Sequence, residues 1–200
     1  MRNTITLAFL LAGAAASHAA TFLLNPAVLS GLPDSTVGWG FTIQSTPIVD
    51  GTNTMTPWML ITFADFVPDP GSNPVGVFTA FITQLPNSNT VIGPDSGNGE
   101  INAWSQSFDP VLITGIGSYH INDFQSFGDQ VTGAIEVLYD LYRVSPNDPS
   151  FNPDSDLIAT NQSLNAAASI TIVSPEPGTL GLLAAAFLCI SSGRWRRPSR

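Results

Sequence analysis

The chain has 200 residues, of which 44% are hydrophobic and 10% charged, with no lysine, enough for one ordinary domain plus processing segments. Its net charge of −9 is unevenly spread: five of six arginines are terminal, and from Ala20 to Ser174 fourteen acids face Arg143 alone, a net of −13. A body of that sign repels phosphate backbones, which argues against nucleic acid as a partner. The single cysteine, Cys189, lies near the C-terminus, so the body has neither a disulfide framework nor a thiolate nucleophile.

The first stretch, MRNTITLAFLLAGAAASHAA, carries Arg2, then an apolar run from Ile5 to about Ala16, then Ser17 and Ala19 at the −3 and −1 positions of a cleavage site. A cationic start, a short apolar run and a small-x-small site predict a secretory signal peptide over residues 1–19. Export would place the acidic body in an oxidising, non-cytoplasmic setting, where surface charge serves solubility.

From Ala20 to Ser174 the chain offers short β-branched and aromatic runs separated by Gly, Pro, Asn and Asp clusters, which predicts an all-β domain. The predicted strands are VGWGFTIQ with Trp39, Phe41 and Ile43 in phase, WMLITFADFV from Trp58, VGVFTAFITQL from Val75 and INAWSQSF from Ile101. VLITGIGSYHI from Val111, QVTGAIEVLYDLYRV from Gln130 and ASITIV from Ala168 complete the set. In the Gln130–Val144 run, Val131, Ile135, Val137, Tyr139 and Leu141 share one face while Thr132, Glu136 and Asp140 lie on the other. Seven to nine short strands predict an antiparallel β-sandwich, with a barrel as the alternative closure.

Chemistry in this body is sparse. His120 is the one histidine left once His18 departs with the signal peptide, and no Gly-x-Ser-x-Gly elbow frames a serine. Glu100, Glu136 and Asp140 are available carboxylates. Glu136 and Asp140, four apart on a strand, stand roughly 13 Å from one another, too far for a glycosidase pair. The loop NDPSFNPDSD offers Asn147, Asp148, Asn152, Asp154 and Asp156 as hard oxygen ligands of the kind calcium prefers, with Asp148, Asp154 and Asp156 its candidate carboxylates. It lacks the glycine and terminal glutamate of an EF-hand loop, and the same residues populate ordinary turns. Trp39, Trp58 and Trp104 are candidates for a sugar-stacking platform, although the phase of Trp39 with Phe41 and Ile43 points it to the core. The expectation is a non-enzymatic protein without a resident cofactor; the alternative is a carbohydrate-binding or adhesive β-sandwich module.

The last stretch, SPEPGTLGLLAAAFLCISSGRWRRPSR, begins at Ser174. Pro175 and Pro177 set a break, and from Gly178 to Trp195 follow eighteen residues whose only charge is Arg194 near their end. As a helix this run reaches about 27 Å, just short of the hydrocarbon core of a bilayer. Arg194, Arg196, Arg197 and Arg200 then serve as a membrane stop, holding that end in the cytoplasm and the acidic body outside.

Pro175, Glu176 and Pro177, the apolar run and the basic end together resemble the PEP-CTERM sorting signal of exported proteins of Gram-negative bacteria. The same tail signature is also labelled an ice-binding protein C-terminal domain, a label that implies no ice binding here. Phrases such as GLPDSTVGWGFTI and YDLYRVSPNDPSFNPDSD resemble ectodomain sequences of other proteins with this tail, and bring no activity with them. The resemblance implies passage through the secretion machinery, transient anchoring in the inner membrane, and recognition by an exosortase, a transpeptidase acting near Pro175–Pro177. It further implies a final place at the cell surface or outside the cell, in association with extracellular polysaccharide or biofilm. The expected plan is a signal peptide over 1–19, a β-sandwich ectodomain over 20–173 and a sorting segment over 174–200.

Overall fold

The computed structural model describes residues 20–84, 90–94 and 101–174; the expected N-terminal signal helix and C-terminal transmembrane helix lie outside them. In chain order the strands are β1 (Ala20–Asn25), β2 (Val28–Gly31), β3 (Thr36–Ser45), β4 (Ile48–Asp50), β5 (Asn53–Met55) and β6 (Trp58–Pro68). There follow β7 (Gly76–Ala80), β8 (Val91–Ile92), β9 (Ala103–Gln106), β10 (Gly117–Ile121), β11 (Gln130–Tyr142) and β12 (Leu157–Ile172). No helix occurs among the described residues, and therefore none long and apolar enough to cross a membrane.

One five-stranded sheet runs β1-β3-β10-β7, with β9 also on β3; the other runs β2-β12-β11-β6-β8. β1 and β9 pair with the same stretch of β3, so they flank it from opposite sides. Among the described residues every strand-to-strand pairing is antiparallel except that of β2 with the end of β12, and an isolated bridge from Ile92 to Ile101 is also parallel. The fold is all-β, built of antiparallel sheets packed as a sandwich. Twelve strands replace the expected seven to nine because β2, β4, β5 and β8 have only two to four residues each, too few to display a period.

Aromatic rings join the layers. The indole of Trp39 on β3 lies nearly parallel to the ring of Phe66 on β6, with centroids 5.9 Å apart. Tyr119 on β10 stands edge-on to both, at 6.3 and 5.6 Å, an arrangement favoured by the ring quadrupoles. Trp39 is fully buried, and its Nε1 donates to the carbonyl of Ala27 at 3.3 Å, tying the core to the crossover between β1 and β2.

β6 shows how the backbone reconciles a mixed sequence with two layers. Met59 and Ile61 face inward, Thr62 and Phe63 are both exposed, and Ala64 and Phe66 face inward again. The register shifts against β11 at this point, a bulge that resets the alternation by one residue. β11 keeps Val131, Ile135, Val137, Tyr139 and Leu141 buried on one face, as the sequence predicts. β12 is longer than its apolar end ASITIV suggests. Its polar half, Leu157–Ala167, is held by pairing to β11 that runs unbroken from Gln162 to Ala167 and is interrupted by a bulge before it, so partner contact decides its conformation where propensity does not.

On the outside of the first sheet Phe108 covers Gly38 and stacks on Phe81 at 6.2 Å. A methyl at Gly38 would meet the Phe108 ring at 2.2 Å and the Gly117 carbonyl oxygen at 2.5 Å, so only glycine lets this loop lie flat on the strands.

Strand directions define two poles. β2, β10 and β12 end at one of them and β3, β7 and β11 begin there; it carries the turns 32–35, 69–75 and 122–129 and the exit of the chain at 173–174. The opposite pole carries the end of β11, the exposed Arg143, whose amide donates to the Asp156 carbonyl, and the loop 145–156. At about 3.3 Å per residue, the thirteen-residue β11 sets these poles on the order of 40 Å apart.

Replacing Trp39 by alanine removes the ring shared by both layers, and a loss of about 3–5 kcal/mol in unfolding free energy is expected. Urea unfolding followed by circular dichroism measures it; a loss below about 1 kcal/mol would contradict a core organised on this ring.

Candidate functional site

The loop 145–156 folds on its own carboxylates. Asp148 Oδ1 accepts from the Ser150 amide at 2.8 Å and the Ser150 hydroxyl at 2.7 Å, and these bonds hold its carboxyl below the usual aspartate value. Asp156 Oδ2 accepts from the Asn152 amide at 2.7 Å, and Asn152 Oδ1 from the Asp154 amide at 3.0 Å. Phe151 anchors the loop by an edge contact to Tyr142 at 5.0 Å. Asp148 and Asp156 thus cap turns, while Asp154 is exposed. Among the described residues no three His, Cys, Asp or Glu side chains gather into one group.

Asp140 also has a local partner set. Its Oδ1 accepts from the Thr160 hydroxyl at 2.8 Å and the Asn161 amide at 2.9 Å, holding the bulge where Asn161 adopts a φ of 52°. Glu136 sits directly opposite Asp65 in the β11–β6 register, a carboxylate juxtaposition that spacing along one strand cannot reveal. Asp65 Oδ1 accepts from the Phe66 amide at 2.8 Å, and Asp65 is exposed on the sheet surface rather than set in a water-excluding site. Glu100 lies outside the described residues.

His120 stands on the outer face of β10. Its Nδ1 is 3.3 Å from the Thr36 hydroxyl and its Nε2 is 3.7 Å from Asp34 Oδ1, with side-chain exposures of 53% and 77% for the histidine and aspartate. Hydroxyl, imidazole and carboxylate fall in the order of a nucleophile relay. At 3.7 Å, however, the second link is longer than a hydrogen bond, and open solvent competes with both. Sequence alone did not offer Asp34 or Thr36, because they lie more than 80 residues away and reach His120 only through the β3–β10 register.

The tryptophans do not form a platform. Trp39 is in the core, Trp104 is buried edge-on against Phe41 at 5.1 Å, and Trp58 is half-buried on the other sheet. The Trp58 Nε1–H is buried without a hydrogen-bond partner. Beside it, where Gly93 presses on the Trp58 ring, opens a cleft of about 460 Å³ lined by Gln44, Ser45, Pro47, Thr56, Gly93, Pro94 and Asn102. None of these described side chains titrates near neutrality, and they offer hydrogen bonds to a ligand. Pro175, Glu176, Pro177, Arg194, Arg196, Arg197 and Arg200 lie outside the described residues.

With this geometry in hand, the chain matches no family model, no curated protein and no solved structure.

Two outcomes are expected. Burial holds the Tyr119, Tyr139 and Tyr142 hydroxyls above the ordinary tyrosine value of 10.0, with the Asp140 charge adding to the shift at Tyr142. The folded state therefore keeps these protons more tightly than the unfolded one. Stability is intact below pH 10.0 and falls as pH rises through the raised values. The Tyr119 Oη is buried and makes no hydrogen bond of normal geometry, although the Gly76 and Val75 amides lie near enough to oppose its upward shift. Tyr119→Phe should flatten the alkaline fall and leave stability at pH 7 unchanged or higher; a marked loss at pH 7 in urea melts would contradict this. His120→Ala should change stability by less than about 1 kcal/mol, read by the same melts, because its contacts are exposed.

Proposed function

We propose that this protein is a non-enzymatic component of the cell envelope or extracellular matrix, exported by its N-terminal signal and sorted through a PEP-CTERM tail. One observation carries the reading. Pro175, Glu176 and Pro177 precede an apolar run and the arginines at 194, 196, 197 and 200, and this whole series follows directly on β12, the last strand of an acidic β-sandwich. The positive-inside rule sets the arginines in the cytoplasm and the body beyond the inner membrane. Proline at both ends of the motif disfavours a helix through it, a property that suits a transpeptidase target.

The chemistry of the body supports a role in binding or structure. Its carboxylates cap turns and a bulge, its histidine is open to water, and its cleft beside Trp58 is lined by hydrogen-bonding groups suited to a neutral, hydroxyl-rich polymer such as an exopolysaccharide. The tail supplies location, and the body supplies a stable acidic surface.

Expression of the full chain in a Gram-negative host, with and without an exosortase, tests the reading by fractionation and immunoblotting. The expected outcome is a full-length form in the inner membrane without the transpeptidase and a shorter form at the surface or in the medium with it. Full-length protein free in the cytosol would overturn it. Glu176→Ala should leave the membrane form unprocessed, and unchanged processing would remove any role for that carboxylate in recognition.

A further inference from the structure

The pole from which the chain departs carries exposed apolar side chains, including two phenylalanines. Phe124 is 77% exposed and Phe127 60%, more than any other described phenylalanine, and Leu32 and Val173 beside them are 41% and 38% exposed. Backbone hydrogen bonds gather the four residues: Gly128 donates to Ile172, Ile172 to Asp129, and Val173 to Gly31. The Asp129 carboxylate accepts from the Ser126 amide at 2.8 Å, fixing the turn that carries both phenylalanines. Scattered apolar side chains on a surface need no explanation, but a cluster at one pole does.

The position of the chain exit says what covers it. Four residues, five Cα–Cα steps, separate Val173 from Gly178, where the apolar run of the tail begins. Even fully extended they span about 17 Å, so a membrane crossed by that run lies within this reach of the pole. We propose that this pole is a lipid-docking face: Phe124 and Phe127, with Leu32 and Val173, enter the interface of the bilayer that the tail crosses and hold the body against the outer leaflet. The inference rests on the tail reading given above. The charge of the pole selects the lipid. Asp34, Asp123 and Asp129 stand around the apolar residues, and they favour a zwitterionic surface over an anionic one.

The full chain reconstituted in phosphatidylcholine vesicles tests this with an environment-sensitive nitrobenzoxadiazole label. Wild type carries the label on Cys189, in the tail; in a Cys189→Ser background it is carried by Phe124→Cys, Phe127→Cys or, at the far pole, Val49→Cys. Both phenylalanine positions are exposed, so the substitutions leave the core untouched. Labels at 124 and 127 should shift to the blue and lose emission to lipids spin-labelled near the headgroup. The label at 49 should do neither, and phosphatidylglycerol should weaken the quenching at 124 and 127. Quenching at Cys189 without quenching at 124 and 127 overturns the docking face while the tail reading stands. No quenching at any of the three overturns both. A blue shift at 124 and 127 that lipid quenchers do not touch, in a chain that cross-links to itself, assigns the face to a second copy and overturns the proposal.

Discussion

The stacking of Trp39 on Phe66 is the contact on which the two layers depend. Each sheet alone would expose an apolar face, and the rings of these two residues, with Tyr119 edge-on to both, set the spacing and relative position at which the faces meet. The bulge in β6 exists in consequence: without its extra residue, Phe66 would point to solvent while Met59 and Ile61 remained inside. The hydrogen bond from the indole to Ala27 extends the same constraint to the strand crossover, so a single side chain fixes contacts in both layers and in the connection between them.

Local pattern in the sequence was sufficient for the strands whose two faces differ. β3 and β11 place their large apolar residues at alternate positions, with Leu138 and Tyr142 as exceptions on β11, and the placement of Trp39 in the core followed from its phase with Phe41 and Ile43. The polar half of β12 was not legible, because Gln162, Ser163 and Asn165 form a strand only by pairing with β11. Short strands such as β2 and β8 were hidden for the same reason: two to four residues carry too little periodicity, and neighbouring strands supply the rest.

The candidate site was legible only in part. Sequence spacing treats Glu136 and Asp140 along one strand, but it had no means to set Glu136 opposite Asp65, or Asp34 and Thr36 beside His120. These neighbours are created by register between strands far apart in the chain. The acidic loop shows the converse. Asn, Asp and Pro offered oxygen ligands on composition, and the fold adds that Asp148 and Asp156 accept from amides of their own turn, a use those residue types readily find. Most of the polar chemistry of the body is thus architectural, and the features that distinguish the protein lie at its two poles.

The charge distribution has one further result. Between residues 20 and 174 the chain holds a single arginine, Arg143, and no lysine. Proteases that cut after basic residues therefore find one scissile bond in the whole body, at the pole farthest from the chain exit. Such proteases can nick this body only at that one place. The same scarcity of side-chain amines makes it a poor target for lysine-directed cross-linking enzymes.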